Sequence, residues 1–449
     1  MGSQRYHILY ILMNTVVVKF GGSSQSQEGY NVIIRRVEEL VNDFDRVIVV
    51  ISAIRKTTNA LYSILEGNKI DWTEIIEWHC VGLNQEQTTK MLLKIDQVRT
   101  MENSDLSDPY NRALFVGQGE RLAVFKFCIL VQKAVYLHAE RIIHSIDDKI
   151  NNVSLTSKNG FVCDSTEIPE IGLIVTEGFL ASTLSDRRSI LLGRSGSDTT
   201  ASLIAGAVNA NHLEIWTDVN GIYTADPRIV PNARIIPKIG YIFCQELTAM
   251  GSKVIHPYAL RPCQLAGVPI HINNIFNPDS IGTVINETNS SPYDVVISLQ
   301  KGITVITMES PKMWGGIGII KDIGELLDKH NVSVDILNSS EYSITITTDD
   351  PDREKLMRLR NDLIEHEYDL PLIKEGIHIV SIVTQDRRLT KNLYKAYELA
   401  YDLGECYLDH LSSNRMTLSL AVDSGISTRL IKRLHYEFVE KRDDIPETK

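Results

Sequence analysis

The chain has 449 residues, enough for two or three domains with substantial cores. A formal net charge of −11 excludes the global basic field that nucleic acid or an anionic membrane requires, so an anionic substrate has to be met by local cations. The six cysteines (Cys80, Cys128, Cys163, Cys244, Cys263 and Cys406) form no CxxC pair and no zinc-like spacing with histidine, and no apolar run is long enough to span a bilayer.

Residues 7–12 are apolar and follow Arg5, a faint imitation of a signal peptide. They run through Asn14 into a strand without a small-residue cleavage site, so 1–14 reads as an N-terminal extension of a cytoplasmic protein, with Met1 or Met13 as its start. Thr15–Phe20 is the first strand. Ile33, Ile34, Val37, Leu40 and Val41 then recur at helical spacing, and 46–52 (RVIVVIS) is a strand apolar enough to be covered on both faces. Further strands are expected at 172–176, 189–192, 213–217 and 270–273, with helices at 120–135 and 198–209 between them. Strands alternating with helices imply an α/β domain over 15–296, with a mainly parallel sheet and helices on both faces.

The character changes after Ser290-Ser291-Pro292. Two shorter units follow, 297–375 and 376–449. The first shows strands at 303–307, 332–336 and 342–347 with a helix near 319–330. The second shows strands at 378–383, 405–408 and 415–421 with helices near 391–403 and 428–438. A repeated βαββ order suggests paired small α+β modules.

Five segments of the first domain break the structural pattern with small or charged residues. In VVVKFGGSS (16–24) a strand runs into Lys19 and then Gly21, Gly22 and Ser23; such a turn can form an amide nest for phosphate oxygens, with the lysine neutralising charge. SAIRKTTN (52–59) is a polar strand-to-helix turn, where a threonine also serves as a cap. GQGE (117–120) opens a long helix, and Glu120 complements its N-terminus. LGRSGSDTT (192–200) crowds Arg194 and Asp198 at a strand end and helix start, a setting for an anion and a metal together. WTDVNGIYTADPR (216–228) leaves a strand through a polar turn, and Lys253 in GSKVIHP adds another cation. The chain carries no GxxxxGK[ST], no HRD or DFG set and no GxGxxG after a strand, so a nucleotide site here is of another design.

Taken in order, these segments resemble the aspartokinases of the amino-acid kinase family: KFGGSS is similar to KFGG[TS]S, GRSGSDTTA to GRGGSD[TY][ST]A, TDVNGIYTADPR to TDVPGIYTTDPR and GSKVIHP to GAKVxHP. The resemblance covers nearly all of 15–285 and implies an amino-acid-kinase fold followed by two ferredoxin-like ACT modules. It implies ATP against Lys19, Gly21, Gly22, Ser23, Thr217, Asp218, Tyr223, Arg228 and Lys253. It implies L-aspartate held by Thr58, Glu120 and Arg194, and Mg²⁺ approached by Asp198 directly or through water. Lys19, Asp198 and Lys253 are the implied catalytic residues. Ser195 departs from the family's Gly-Gly pair.

The implied reaction gives 4-phospho-L-aspartate, the first step of the aspartate-family pathway towards lysine, threonine and methionine. In the tail, SVDILNSSE (333–341) resembles a stretch of lysine-inhibited aspartokinases. This implies a regulatory amino acid, lysine first and threonine second, bound by Met313, Gly318, Ser333, Asp335, Ser339, Ser340 and Glu341, and a homodimer or higher oligomer formed through the ACT modules. The rival readings are a sibling kinase of the same family and a non-catalytic amino-acid sensor.

Overall fold

The computed structural model describes residues 13–146, 150–151, 156–157, 160–252, 254–287, 293–385, 393–414 and 416–441. By compactness these fall into two units. One lies within Met1–Ile222, Pro237–Tyr241 and Lys253–Ser290; the other lies within Tyr223–Ile236, Ile242–Ser252 and Ser291–Lys449. Two segments inside the expected kinase domain, 223–236 and 242–252, thus belong to the second unit.

The first unit is built on an eight-stranded sheet. Its strands are β1 (Thr15–Phe20), β2 (Arg46–Ile51), β3 (Val135–Tyr136), β4 (Gly172–Glu177), β5 (His212–Thr217), β6 (Lys238–Gly240), β7 (Ile270–Asn274) and β8 (Thr283–Asn286). The order is β6-β8-β7-β5-β1-β2-β4-β3, parallel except between β7 and β8. Every residue of β1 is buried, as a strand covered on both faces should be.

The register brings the strand ends level: Phe20 lies beside Ile51 and Trp216, Ile51 beside Glu177, and Trp216 beside Asn273. The loops after β1, β2, β4, β5 and β7 therefore leave one edge of the sheet, where open α/β sheets bind their ligands.

Helix α1 (Gln27–Asp43) starts where the Ser26 side chain accepts from the Gly29 amide at 3.1 Å, and it buries Tyr30, Ile33, Val37 and Leu40 against the sheet. Helices α2 (Thr57–Leu65), α3 (Trp72–Cys80), α4 (Gln85–Thr100) and α5 (Pro109–Val116) follow β2, and Leu61, Trp72, Ile75, Met91, Ile95 and Phe115 form a core of their own there. Then come α6 (Gln118–Leu130), α7 (Gly196–Ala207) and α8 (Pro257–Ala266). The strand expected at 189–192 does form, as Ser189–Leu191. It joins a second, six-stranded sheet, antiparallel to Leu180–Ser182, rather than the main one. Three residues of hydrophobic pattern carry no information about which sheet they enter.

The second unit holds a six-stranded sheet made of β9 (Val295–Glu309), β10 (Ile336–Ser339), β11 (Ser343–Thr348), β12 (Asp369–Thr384), β13 (Cys406–Leu411) and β14 (Thr417–Asp423), in the order β10-β11-β9-β12-β14-β13. The expected strands at 303–307 and 378–383 are parts of β9 and β12, two long antiparallel partners with bulges midway. One half of β9 packs Ile306 and Met308 into the first module's core, while the other half packs Val295 and Ile297 into the second's. Helices α9 (Ile319–Lys329), α10 (Arg353–Glu365), α11 (Leu393–Tyr401) and α12 (Ser424–His435) complete the modules.

Before α10, Asp352 caps the helix by accepting from the Lys355 amide at 3.0 Å, and Leu356, Leu359 and Leu363 turn inward, a helix that the sequence reading did not expect. One expected element also changes. The strand expected at 332–336 begins only at Ile336. Helix α9 ends with Asn331 left-handed and the Val332 amide bonded to the Leu327 carbonyl, which delays the chain's arrival at the sheet.

No helix among the described residues is long and apolar enough to cross a membrane.

Candidate active site

Lys19 is the penultimate residue of β1 and is 8% exposed. Its Nζ lies 2.6 Å from Asp198 Oδ1, in the first turn of α7, where a carboxylate also suits the helix dipole. Gly22 has to be glycine for reasons of space. A Cβ there would stand 2.2 Å from the Ala53 carbonyl oxygen, because the glycine loop and the loop after β2 touch backbone to backbone. The Arg55 amide donates to the Gly22 carbonyl at 3.2 Å, and the Ser24 hydroxyl and Gly21 amide both reach the Trp216 carbonyl, at 3.2 and 3.1 Å. The segments carrying Lys19, Ser52-Ala53 and Trp216 thus form one assembly.

Next to Ala53 and Thr58 lies a buried acid. Glu120 is 4% exposed; its Oε1 accepts from the Thr58 hydroxyl at 3.1 Å, and its Oε2 has no hydrogen-bond partner. A Cβ on Gly119 would lie 2.8 Å from Thr58 Oγ1, so the glycine of GQGE lets helices α2 and α6 approach. Burial raises the Glu120 carboxyl to about 8, opposed only in part by hydrogen bonds including that from Thr58.

The remaining expected residues are distributed as follows. Arg194 is exposed in the turn before α7, and its charge, after burial, depresses His256, which Asp198 opposes; His256 therefore shares the field of both. Through His256, which caps α8, the GSKVIHP segment reaches this region, although Lys253 itself lies outside the described residues. The Thr217 hydroxyl donates to Asp218 at 3.2 Å at the end of β5. Tyr223 and Arg228 belong to the second unit, where Tyr223 bridges to Ile235 and Arg228 forms an ion pair with Asp226 at 2.8 Å.

Ser195, the departure from the family pattern, has φ of 50°, the left-handed region that glycine tolerates better. Arg55 and Phe179 are left-handed too, with φ of 52° and 71°, so strain gathers in the loops around α7 and β2, a common mark of functional sites. Sequence reading missed Glu177, fully buried at the end of β4 with Arg121 Nε at 3.6 Å and His138 Nδ1 at 3.4 Å. Its only signal was position: the last residue of a parallel strand on the edge where open α/β sheets bind their ligands.

Of the residues expected to hold an effector, Met313 is 8% exposed in the core of the first module and packs rather than faces solvent. Gly318, with φ of 86°, precedes α9. Ser333, Asp335, Ser339, Ser340 and Glu341 are exposed along and beside β10, the edge strand. There the Ser340 and Ser343 hydroxyls lie 2.8 Å apart.

The profile of the amino acid kinase family matches residues 14–274. Lysine-sensitive aspartokinase 3 of Escherichia coli (strain K12) is 28% identical over 354 residues, 74% of this chain and 78% of that protein. Aspartokinase 2, chloroplastic, of Arabidopsis thaliana is 26% identical over 95% of this chain and 82% of its own length. Among solved structures, E. coli aspartokinase III in complex with aspartate and ADP matches with a TM-score of 0.75 at 23% identity, over 94% of this chain and 99% of that one, a likeness of fold. The chain belongs to the amino acid kinase family and is an ATP-dependent kinase.

Proposed function

We propose that the protein transfers the γ-phosphoryl group of ATP to the side-chain carboxylate of L-aspartate, giving ADP and 4-phospho-L-aspartate. The observation that carries this reading is the Lys19–Asp198 pair, 2.6 Å apart at the mouth of the glycine loop. It sets a cation for phosphoryl oxygens beside a carboxylate for the accompanying Mg²⁺. A single carboxylate suits an ion that arrives with nucleotide phosphates, since Mg²⁺ is commonly held by one or two carboxylates plus phosphates and water.

The acceptor carboxylate has a reference pKa near 3.9 and is already ionised, so no general base is needed. One of its oxygens forms the new bond to the γ-phosphorus as the bond to the bridging β,γ-oxygen breaks, and ADP keeps that electron pair. The protein's task is to align two anions and absorb the charge spread over the transferring oxygens. Lys19, Lys253 and the amides of Gly21, Gly22 and Ser23 take that role, with Thr217, Asp218, Tyr223 and Arg228 on the nucleotide. Glu120 receives the substrate ammonium, Thr58 adds a hydroxyl, and Arg194 pairs with a substrate carboxylate.

The exposed polar residues of β10 and its flanks, with Gly318, form the proposed site for a regulatory amino acid, lysine before threonine. Pairing of the modules makes the protein a homodimer or larger. The product then enters the aspartate-family pathway to lysine, threonine and methionine.

A hydroxylamine-trapped assay with aspartate, N-acetylglutamate and glutamate, each with and without lysine or threonine, tests this. Acyl phosphate from aspartate alone is the expected result, and turnover of another acceptor in its place overturns the assignment.

A further inference from the structure

The glycine loop is braced by a side chain with no part in the roles above. Gln25 follows Ser23 and Ser24 and is 1% exposed. Its Nε2 donates to the Ser52 carbonyl at 2.6 Å and to the Gly21 carbonyl at 3.4 Å, while its Oε1 accepts from the Tyr30 hydroxyl at 2.8 Å. Only this orientation of the amide satisfies all three, because two carbonyls demand a donor. Gly21 follows β1 and Ser52 follows β2, so one side chain ties together the loops leaving two neighbouring strands.

Tyr30 is held in turn. It is 4% exposed on the inner face of α1, and the Lys126 ammonium lies 4.5 Å from its ring centroid. Lys126, 1% exposed on α6, is anchored by the Trp78 carbonyl at 3.2 Å. A path of named contacts therefore runs from α6 through α1 to the backbone of the glycine loop.

We propose that Gln25 is a positioning residue for phosphoryl transfer, an inference that rests on reading the Lys19 loop as the phosphoryl site. A phosphate oxygen is attracted by amide N–H groups and repelled by carbonyl oxygens, so the facing of each loop peptide decides what the loop can bind. The Gly21 carbonyl is taken up by Gln25 and the Ser24 amide, and the Gly22 carbonyl by the Gln25 and Arg55 amides. The Gln25 side chain thereby helps to turn the Gly21 carbonyl into the protein and ties Ser52 to the same assembly, while the Gly22 carbonyl is held by the main-chain amides of Gln25 and Arg55. Without it the Gly21 carbonyl keeps only the Ser24 amide and loses its tie to Ser52, and a misplacement of about 1 Å at such a site costs on the order of 10²-fold in rate.

The test uses the full chain. Gln25→Met keeps length and removes all three bonds, Gln25→Glu keeps only the Tyr30 partner, and Tyr30→Phe removes only the phenol bond. Gln25→Met and Gln25→Glu should lower kcat by roughly tenfold to a hundredfold with KM for aspartate changed less than about twofold, and Tyr30→Phe by only a few-fold. Hydrogen exchange across 20–25 and 52–55, measured without substrates, should rise in the same order. Wild-type kcat in Gln25→Met overturns the proposal, as does a loss shared equally by kcat and aspartate KM. If wild type fails to turn over aspartate, the kinase reading fails, and unchanged exchange in 20–25 would separately sink the role of Gln25. If the Gln25 variants do not fold, Tyr30→Phe decides on the same two readouts.

Discussion

Two glutamates of the first unit are buried to almost the same degree and behave in opposite ways. Glu214 on β5 is 2% exposed, and Glu120 at the start of α6 is 4% exposed. Glu214 is surrounded by donors: Arg36 through Nη2 at 2.6 Å and Nε at 3.1 Å, Trp216 Nε1 at 2.8 Å and His212 Nε2 at 3.1 Å. Burial pushes its carboxyl up, but the bonds from His212 and Arg36, the Arg36 charge and the Trp216 donor outweigh that and hold it at about 2. Glu120 has the Thr58 hydroxyl and an orphaned oxygen, so burial prevails and its carboxyl rises to about 8. The lesson is that burial alone does not distinguish a structural carboxylate from a binding one. The count of donors sets the direction of the shift, and the proposed substrate ammonium is the donor that Glu120 lacks.

Four measurements sharpen that contrast. The largest effect is expected beside Glu120 rather than at it: Lys19→Met should lower kcat by roughly 10²–10³-fold, as for loss of a transition-state donor, with aspartate KM little changed in steady-state assays.

Next, Glu120→Gln should raise aspartate KM by about 10²-fold and ATP KM far less. The sign of its pH dependence follows from the raised value. Free enzyme below about pH 8 carries the neutral acid, which must lose its proton to receive an ammonium, so aspartate KM should fall roughly tenfold per unit as pH rises towards 8 and then level off. Glu120→Gln should flatten that profile, and a wild-type profile flat from pH 6 to 9 would refute the assignment.

Third, Arg36→Met should cost about 2 kcal/mol of stability in urea melts while leaving kcat unchanged. Because Glu214 is depressed when folded, its contribution is present above its ordinary value of 4.5 and is lost as pH falls through about 2. Removing Arg36 should therefore shift acid unfolding to higher pH.

The smallest effect is expected at Ser195→Gly. Relief of a left-handed φ of 50°, at a serine whose side chain makes no cap bond, should add about 0.5–1 kcal/mol to thermal stability. A loss of stability there would show that the Ser195 side chain contributes to the fold.

Much of the fold could be read from residues alone, because β1, β2 and α1 announce themselves by local pattern: unbroken β-branched runs, then apolar residues at helical spacing. Reading failed where the pattern was short or interrupted. The strand at Ser189–Leu191 could be read, but not its place in the second sheet, since three residues cannot specify a partner. The helix at Arg353–Glu365 was hidden by its own charge, with only Leu356, Leu359 and Leu363 turned inward. Of the site, Lys19, Asp198 and Glu120 stood out as charges close to glycines, and Thr58 as a hydroxyl in a polar strand-to-helix turn. Gln25 and Glu177 did not, because a polar residue in a loop or at a strand end looks ordinary until its burial is known.

By itself the sequence determined the family and the alternation of strand and helix, and it named the side chains proposed to meet phosphate, metal and ammonium, since these depend on residue type and local spacing. Only the tertiary structure decided that Lys19 meets Asp198 across 179 positions of chain, that Glu120 keeps one oxygen unpaired, and that Gln25 braces two loops. Those depend on strand register and on which groups water can no longer reach, and neither is encoded in any short stretch of residues.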